Sequence, residues 1–439
     1  MSKAKLLAVA LVWLVLIGVG VLAWRLVFAP VVERAAEEQA AEQRRRGGSD
    51  SRFDRTLTLR LDGFSGYAVL RSDPFKDTLA KGGVGLRLVD DGADYPARLA
   101  ALKSGEADLA VFTIDALVKA SAEAGSMPAT IVAVIDETAG ADAVVAYRDV
   151  YGVVGDLNDP GTRFVLTPDS PSETLARVVM SRFDLDRLPA DPFEPAADAA
   201  DVVKRYRAAK AADRRVYVVW EPHVTQMLKN DRLHVLVDSS RFPSAIADVL
   251  VASDDLVAKD PAVVTKVLRA YFDANARYAD KKKRIDLVRR DARATGAKLS
   301  EEEARRLVEG VWWKNAAENR THLGLADGRG ARAAKLPHLD DLITRITEVL
   351  VGTGAIDADP TGGNPNYLYN TAVWSPLADY RPAGADERVR GVRMPALSDS
   401  EWESLVEVGA AQAPTLVFAR GTDRLTERSR VLLDELAGT

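Results

Sequence analysis

Short apolar blocks alternate with amphipathic stretches along residues 55–280, and this alternation predicts strands separated by helices. The apolar blocks predict strands at 56–61, 85–89, 109–112, 129–135, 142–147, 163–166, 216–220, 233–237 and 247–252. Helical periodicity between the blocks predicts helices that include 94–104, 172–183, 199–212 and 261–278. Because strands and helices alternate, the sequence predicts an α/β fold with parallel sheets and crossover helices.

Polar residues lie at the ends of several predicted strands. Ligands of open α/β sheets bind in the crevice outside the carboxyl ends of the strands, so these residues are candidates for ligand contacts. The candidate ligand-binding residues are Ser65, Gly66, Tyr67, Thr113, Asp115, Asp136, Asp142, Ser170, Ser172, Trp220 and Glu221.

The candidates around the first and third strands also have structural alternatives. Gly66 would let the backbone approach a ligand, and Tyr67 would supply an apolar wall with a polar tip, but an ordinary loop is the alternative. Thr113 and Asp115 suit hydrogen bonds to a ligand. Asp115 is also the expected N-cap of a helix that begins directly after it, and both roles are compatible.

Acidic residues beside Gly140 indicate a kind of ligand. Asp136, Glu137 and Asp142 favour an amine, an amide or a hydroxyl over a bare anion, because carboxylates accept hydrogen bonds and repel negative charge. Capping or hinge contacts are the alternative role for these acids.

Two further candidate groups lie later in the chain. Residues 170–173 read SPSE, which is typical of a helix N-terminus. The free N–H groups there, with the hydroxyls of Ser170 and Ser172, suit a carboxylate or a phosphate-like group, and a well-capped helix is the alternative. After the strand at 216–220, Trp220 would offer a stacking face and Glu221 a polar anchor.

Composition argues against several other functions. The net charge is −5 at pH 7 and no basic stretch is interleaved with aromatic residues, so nucleic acid is not an expected partner. The chain has no cysteine, no HExxH spacing, no G-x-S-x-G elbow and no P-loop, so no enzyme, metal site or cofactor is expected. His223 alone among the four histidines follows a candidate, and an exposed loop position is expected for it.

The N-terminus predicts a membrane anchor over residues 1–30. Residues 6–24 are uncharged and nearly all apolar, and as a helix at about 1.5 Å per residue they would just cross a bilayer core of about 30 Å. The alternative is a cleavable signal peptide, whose apolar region is usually shorter and ends in small residues. Residues 31–52, rich in Ala, Glu and Arg, predict a stalk with a flexible joint.

Three spaced motifs point to a family. They are FSGYA at 64–68, GEADLAVFTIDAL at 105–117 and WEP at 220–222. In this order they make the chain resemble the periplasmic solute-binding proteins of the nitrate, sulfonate and taurine ABC transporter family.

The resemblance implies a two-lobed type II periplasmic-binding-protein fold, the venus flytrap, as a solute-binding domain over 53–360. Lobe one would comprise about 53–140 and 247–360, and lobe two about 141–246. The chain crossings near 140–147 and 239–252 would form the hinge, around which such lobes close on a ligand.

A helical C-terminal extension follows residue 280. Ser300 and Glu303 have the spacing of a capping box that begins a helix. Residues 361–412 are an expected linker, and residues 413–439 resemble the first strand and helix of an OmpA-like peptidoglycan-binding domain. The motif that grips peptidoglycan in that family is missing, so a truncated chain, a degenerate domain and a chance match all remain open.

The expected function is capture of a small polar solute by a single-pass protein of the bacterial inner membrane, with most of the chain in the periplasm. The resemblance implies an ABC-type permease as partner, and cell-wall contact only in a longer form of the protein. The alternative is a ligand-free scaffold or sensor of the cell envelope built on the same fold.

Overall fold

The computed structural model describes residues 53–325, 336–382, 425 and 429–433. The expected anchor and stalk lie outside the described residues, as does nearly all of the OmpA-like segment. Over the stretches that are described, no helix is both long enough and apolar enough to cross a bilayer.

The strands form two sheets. The first sheet has the order β11-β4-β10-β3-β1-β2 and contains β1 (Arg55–Leu61), β2 (Val84–Asp90), β3 (Leu109–Thr113), β4 (Ala129–Thr138), β10 (Ala247–Ser253) and β11 (Val311–Trp313). The second sheet has the order β7-β6-β8-β5-β9 and contains β5 (Asp142–Tyr147), β6 (Arg163–Leu166), β7 (Phe193–Pro195), β8 (Arg215–Trp220) and β9 (Leu233–Asp238). In the first sheet β1 and β3 are parallel, whereas β10 runs antiparallel to β3 and β4, and the edge strand β11 runs antiparallel to β4. In the second sheet β6 is parallel to β7 and β8, whereas β5 runs antiparallel to β8 and β9. Both sheets are therefore mixed, where the sequence predicts parallel sheets.

Helices connect and cover the strands. They are α1 (Ala68–Arg71), α2 (Asp73–Lys81), α3 (Tyr95–Ser104), α4 (Ile114–Ala124), α5 (Pro171–Arg182), α6 (Ala199–Ala208), α7 (His223–Met227), α8 (Asp254–Lys259), α9 (Pro261–Arg277), α10 (Lys281–Ala294), α11 (Glu301–Gly310), α12 (Ala316–His322) and α13 (Leu339–Gly352). On the second sheet, Val144 and Val218 pack with Leu175 of α5 on one face. Tyr217 and Val219 pack with Val202 of α6 on the other, so both faces are buried and the strands are continuously apolar.

The chain divides into two units. The first includes the described residues 53–56 and 83–85, and the second comprises Leu57–Gly82 and Leu86–Thr439. Apart from the first residues of β1 and β2, both sheets and the helices belong to the second unit, which also contains the site described below.

Two crossings connect the sheets, between β4 and β5 and between β9 and β10. Gly140 in the first crossing has a φ of +111°, a conformation that favours glycine. Its amide donates a hydrogen bond at 2.8 Å to the hydroxyl of Ser239, which lies in the second crossing. The crossings are therefore bonded to each other at the segments where the sequence predicts a hinge.

The strands predicted from apolar blocks are confirmed, with bounds shifted by a few residues. Two edge strands, β7 and β11, were not predicted because each is only three residues long, which is too short for a periodic pattern. The capping box at Ser300 is confirmed, since its hydroxyl accepts from the Glu303 amide at 3.2 Å. The expected N-cap role of Asp115 is wrong: β3 continues directly into α4, which begins at Ile114 with Thr113 as its N-cap.

Gly310 is expected to be essential for the first crossing. Its carbonyl accepts hydrogen bonds from the amides of Ala139 at 2.7 Å and Ala141 at 3.2 Å, and a Cβ at Gly310 would lie 2.7 Å from the Ala141 nitrogen. We expect Gly310→Ala to lower the free energy of unfolding by about 1 to 3 kcal/mol, measured by urea denaturation, because backbone must move. Gly352→Ala is the control, since nothing lies within 4 Å of its added Cβ. Equal effects of the two changes would contradict the packing argument.

Candidate functional site

Four residues on neighbouring strands form a row across the first sheet, at the end of the sheet where β3 terminates. The strand register pairs Trp313 with Asp136, Asp136 with Asp248, and Asp248 with Thr113. Residues paired in this way project from the same face of a sheet. Thr113 ends β3 while Asp248 lies at the start of β10, and their antiparallel pairing brings both to one edge. The row therefore lies at the carboxyl end of β3, where the sequence predicts ligand contacts.

Residues 65–67 form a short 3-10 helix that contacts this row. The Tyr67 hydroxyl donates a hydrogen bond to Asp248 Oδ1 at 2.6 Å, and the Gly66 carbonyl accepts one from Trp313 Nε1 at 2.7 Å. Ser65 is buried beside them. Residues 65–67 therefore lie close to the row that contains Thr113 and Asp136, with which the sequence analysis grouped them.

The second sheet contributes Asp142 and Trp220, which lie opposite each other on β5 and β8. Asp142 is 1% exposed, and its Oδ1 accepts no hydrogen bond from the described residues. The Thr138 hydroxyl is near enough to favour the ionised carboxylate, but its geometry falls short of a hydrogen bond. Trp220 is half buried, with its ring at 82° to that of His223 and 6.4 Å between centroids.

The region between the row on the first sheet and the pair Asp142 and Trp220 on the second is here called the cleft. Asp115 connects its two sides. It lies in α4, which follows β3 of the first sheet, and its Oδ2 accepts a hydrogen bond from the Thr174 hydroxyl of α5, which follows β6 of the second. One turn further along α4, Lys119 forms an ion pair with Asp169. Oδ1 of Asp115 accepts no hydrogen bond within the part of the chain that the structure describes. These contacts hold α4 and α5 together over the site.

A cavity of about 30 Å³ lies between α4 and α5. Its lining includes Asp115, Ser170 and Thr174, together with Tyr95 of α3 and Leu350 of α13. This volume is enough for an ordered water molecule. A solute larger than water would therefore require α4 and α5 to separate.

Helix α13 lies across this junction. It packs against both α4 and α5, so it contacts helices that belong to the two different sheets. Arg177 of α5 donates a hydrogen bond at 2.8 Å to the carbonyl of Thr353, just after α13. If α4 and α5 separated, α13 would either lose its contacts with one of the two helices or move together with one of them.

Four carboxyl groups, Asp115, Asp136, Asp142 and Asp248, are here called the acid cluster. Burial raises the pKa of Asp142 to about 7. Burial also raises the pKa of the other three, and the charge of Asp136 raises the pKa of Asp248 further. Asp136 receives no hydrogen bond from any hydroxyl, amide or cation of the described residues. These groups therefore favour the protonated state more than ordinary aspartates do.

Three other buried acids are paired with cations. Glu137 lies 2.7 Å from Lys314, Glu173 lies 2.6 Å from Arg177, and Asp291 lies 2.7 Å from Arg71. No member of the acid cluster has an ion pair with a cation of the described residues. The acid cluster therefore differs from these three acids because it lacks a paired cation, whereas all of them are buried.

The remaining sequence candidates have different surroundings. The Glu221 carboxylate accepts hydrogen bonds from the amide and the hydroxyl of Thr225, at 3.1 and 2.9 Å, and so stabilises the first turn of α7. The Ser170 hydroxyl donates to the Thr167 carbonyl at 2.6 Å. Ser172 is fully buried in the first turn of α5, and its hydroxyl has no partner within the described part of the chain. Of these three, Ser172 alone retains an unused polar atom.

Sequence reasoning missed four residues of the site, which are Asp248, Thr138, Thr174 and Tyr95. Asp248 had a usable signal, because it is a lone acid inside the apolar run ADVLVAS and is therefore an acid in a buried strand. Thr138, Thr174 and Tyr95 had none, since each lies in an ordinary strand or helix pattern.

The fold is similar to that of solved binding proteins. The periplasmic aliphatic sulphonate binding protein from Escherichia coli gives a TM-score of 0.54 at 15% identity, over 78% of this chain and 98% of that chain. The periplasmic nitrate-binding protein from Synechocystis PCC 6803 gives 0.54 at 13% identity, over 74% and 88%. A ligand binding component of an ABC-type import system from Staphylococcus aureus, with zinc bound, gives 0.51 at 16% identity, over 77% and 100%.

No family model matches the chain, and no curated protein matches it. At these identities the structural similarity shows the fold alone, which is the two-sheet α/β fold of periplasmic binding proteins.

Proposed function

We propose that the protein captures a small polar solute between two lobes, one built on each sheet, for an ABC-type transporter. The observation that carries this proposal is a set of buried polar atoms on both sides of the cleft, in Thr113, Asp142 and Ser172, that have no hydrogen-bond partner among the described residues. Buried polar groups in proteins nearly always have hydrogen-bond partners, so a cluster of exceptions suits a ligand site.

The structural neighbours support this proposal. Their names describe binding of sulphonate, binding of nitrate and ligand binding for import. Binding proteins of two lobes close around a ligand by hinge motion, and here the paired crossings at Gly140 and Ser239 would be the hinge. The bonded contact between α4 and α5 would then belong to the closed state.

Residues 1–30 would hold the protein in the inner membrane, with most of the chain in the periplasm and a permease of the ABC type as partner. Cell-wall contact would require a longer form with a complete OmpA-like domain. Sequencing the N-terminus of the mature protein tests the anchor, and a start beyond residue 25 would contradict it.

A ligand-free scaffold or sensor is the second candidate function. Two observations favour it: the cavity of about 30 Å³ is small, and α13 packs against helices from both sheets. A scaffold would keep α4 and α5 together permanently and would need no solute.

Native mass spectrometry of the full-length protein, released gently from membranes, separates the two functions. A co-purified small molecule, together with a higher unfolding temperature when that molecule is added in excess, is the result expected for solute capture. Protein that carries no solute and gains no thermal stability from a broad panel of amines, amino acids, sulfonates and pyrimidines would favour the scaffold.

Trp220 should contribute to solute binding because it faces the same side of the second sheet as Asp142. We expect Trp220→Ala to weaken binding of the co-purified solute by about 1 to 3 kcal/mol, as loss of an aromatic contact commonly does. Titration calorimetry measures the affinity. The chain has seven tryptophans, so a fluorescence change on binding must be compared with that of Trp220→Phe. Unchanged affinity in Trp220→Ala would remove this residue from the site.

A further inference from the structure

We propose that the acid cluster binds the cationic nitrogen of a small organic solute. This inference rests on the proposed function and names the class of solute. It starts from the charge balance, since four buried carboxyl groups lie together and none forms an ion pair with a cation of the described residues, although Lys314 and Arg284 favour the ionised form of Asp136 from a longer distance. Elsewhere in the same fold, Glu137, Glu173 and Asp291 show that this chain does pair its buried acids with cations.

Buried acceptor atoms without donors are the second observation that supports a cationic solute. Oδ1 of Asp142 and Oδ1 of Asp115 are buried and accept no hydrogen bond from the described residues, and the Asp136 carboxylate accepts one from the protonated carboxyl of Asp248 but none from a cation, amide or hydroxyl among them. An ammonium group has three donors and no acceptor, so it matches acceptors that lack donors. Burial of ionised carboxylates is costly unless an opposite charge is present, and a bound cation would supply that charge.

Unpartnered hydroxyls give an independent indication of a ligand. Thr113 is 1% exposed and Thr138 is 3% exposed, and within the described residues neither hydroxyl has a partner at hydrogen-bond geometry. Thr113 lies in the same row as Asp248, and both hydroxyls lie close enough to Asp115 and Asp142 respectively to affect those carboxyls. The hydroxyls therefore adjoin the acids, and they suit polar atoms beside the cationic nitrogen of the solute.

The arrangement argues for an organic cation rather than a metal ion. Over the described ranges, no group of three or more His, Asp or Glu side chains is placed to hold a metal. The four acids come instead from β4, β5, β10 and α4, which spreads their oxygens over both sheets. Sulphonate and nitrate, which are named for two proteins of similar fold, would meet negative charge on both sides of this cleft.

Thermal unfolding and titration calorimetry of the full-length protein test the proposal. The probes are putrescine, choline and arginine as cations, and ethanesulfonate and nitrate as anions. We expect at least one cation to stabilise the protein and neither anion to do so. Asp136→Asn should weaken that cation's binding about tenfold or more, because Asp136 is the acceptor of the Asp136–Asp248 pair and hydrogen bonds to charged groups are the stronger ones. Asp255→Asn is the control, since Asp255 is exposed and pairs with Lys259.

Each possible result either supports or contradicts binding of a cationic solute. Should Asp136→Asn fail to fold, Asp142→Asn replaces it with the same expectation. Stabilisation by an anion alone, or by cations equally in the wild type and both cluster variants, overturns the cationic solute but leaves solute capture standing. No stabilisation by any probe, with no basic compound co-purifying, overturns the cationic solute, and the absence of any co-purified compound at all counts against solute capture itself.

Discussion

Lys314→Met is expected to lower the free energy of unfolding by about 3 to 5 kcal/mol at neutral pH, because it would leave a buried carboxylate without its cation. The Lys314 side chain is 0% exposed, and its ammonium lies 2.7 Å from Oε1 of Glu137, whose side chain is 4% exposed. The ammonium also lies 3.3 Å from the centroid of the Trp312 ring. The hydroxyl of Ser244, which donates to Glu137, would be the partner left to that carboxylate.

A double-mutant cycle separates this charge effect from loss of packing. Glu137→Gln alone should also destabilise the protein, because it leaves the Lys314 ammonium buried with a neutral partner. The double change Lys314→Met with Glu137→Gln should recover most of the loss, since neither charge remains. Urea denaturation measures all three variants. If the double variant were as unstable as the sum of the two single variants, the ion-pair explanation would be wrong.

Asp142→Asn is expected to stabilise the ligand-free protein by about 2 to 4 kcal/mol at pH 8 and to change its stability little at pH 4. Burial raises the pKa of Asp142 to about 7, and Asp248, Asp115 and Glu221 add to the rise through their negative charge. An aspartate in the unfolded chain has a pKa of about 3.9, and each unit of difference corresponds to about 1.4 kcal/mol.

The sign follows from proton binding. Below about pH 4 the carboxyl is protonated in both states, so it carries no penalty. Between about pH 4 and 7 the folded chain keeps a proton that the unfolded chain has released, so the stability of the wild type falls as the pH rises. Above pH 7 the penalty is complete, and asparagine avoids it because it stays neutral.

Urea denaturation between pH 4 and 8 measures this difference, with the exposed change Asp255→Asn as control. A constant difference between Asp142→Asn and the wild type across that range would mean that the carboxyl does not titrate in it. If the protein binds a cationic solute, adding that solute at pH 8 should reduce the difference in free energy of unfolding between Asp142→Asn and the wild type. The reason is that a bound cation stabilises the ionised wild-type carboxylate.

The sequence by itself determined the fold class and most of its elements. Strands such as β4 and β10 are buried on both faces, so they appear as continuous apolar runs that a local pattern detects. The helix starts at Ser170 and Ser300 were equally local, because an N-cap is decided by residues within one turn. The candidates Tyr67, Thr113, Asp136 and Asp142 followed from the same signal, since polar residues at the end of an apolar strand stand out.

Tertiary structure alone decided which of these residues meet. Asp248 lies at the start of β10, far from Asp136 in sequence, and reaches it because β10 runs antiparallel between β4 and β3. Asp115 was expected to be an N-cap, but it contacts Thr174 across the cleft, which no spacing within α4 could show. The missing cations of the acid cluster are likewise a property of three-dimensional packing. Strand order and direction bring distant segments to one edge, whereas the sequence pattern reports each segment separately.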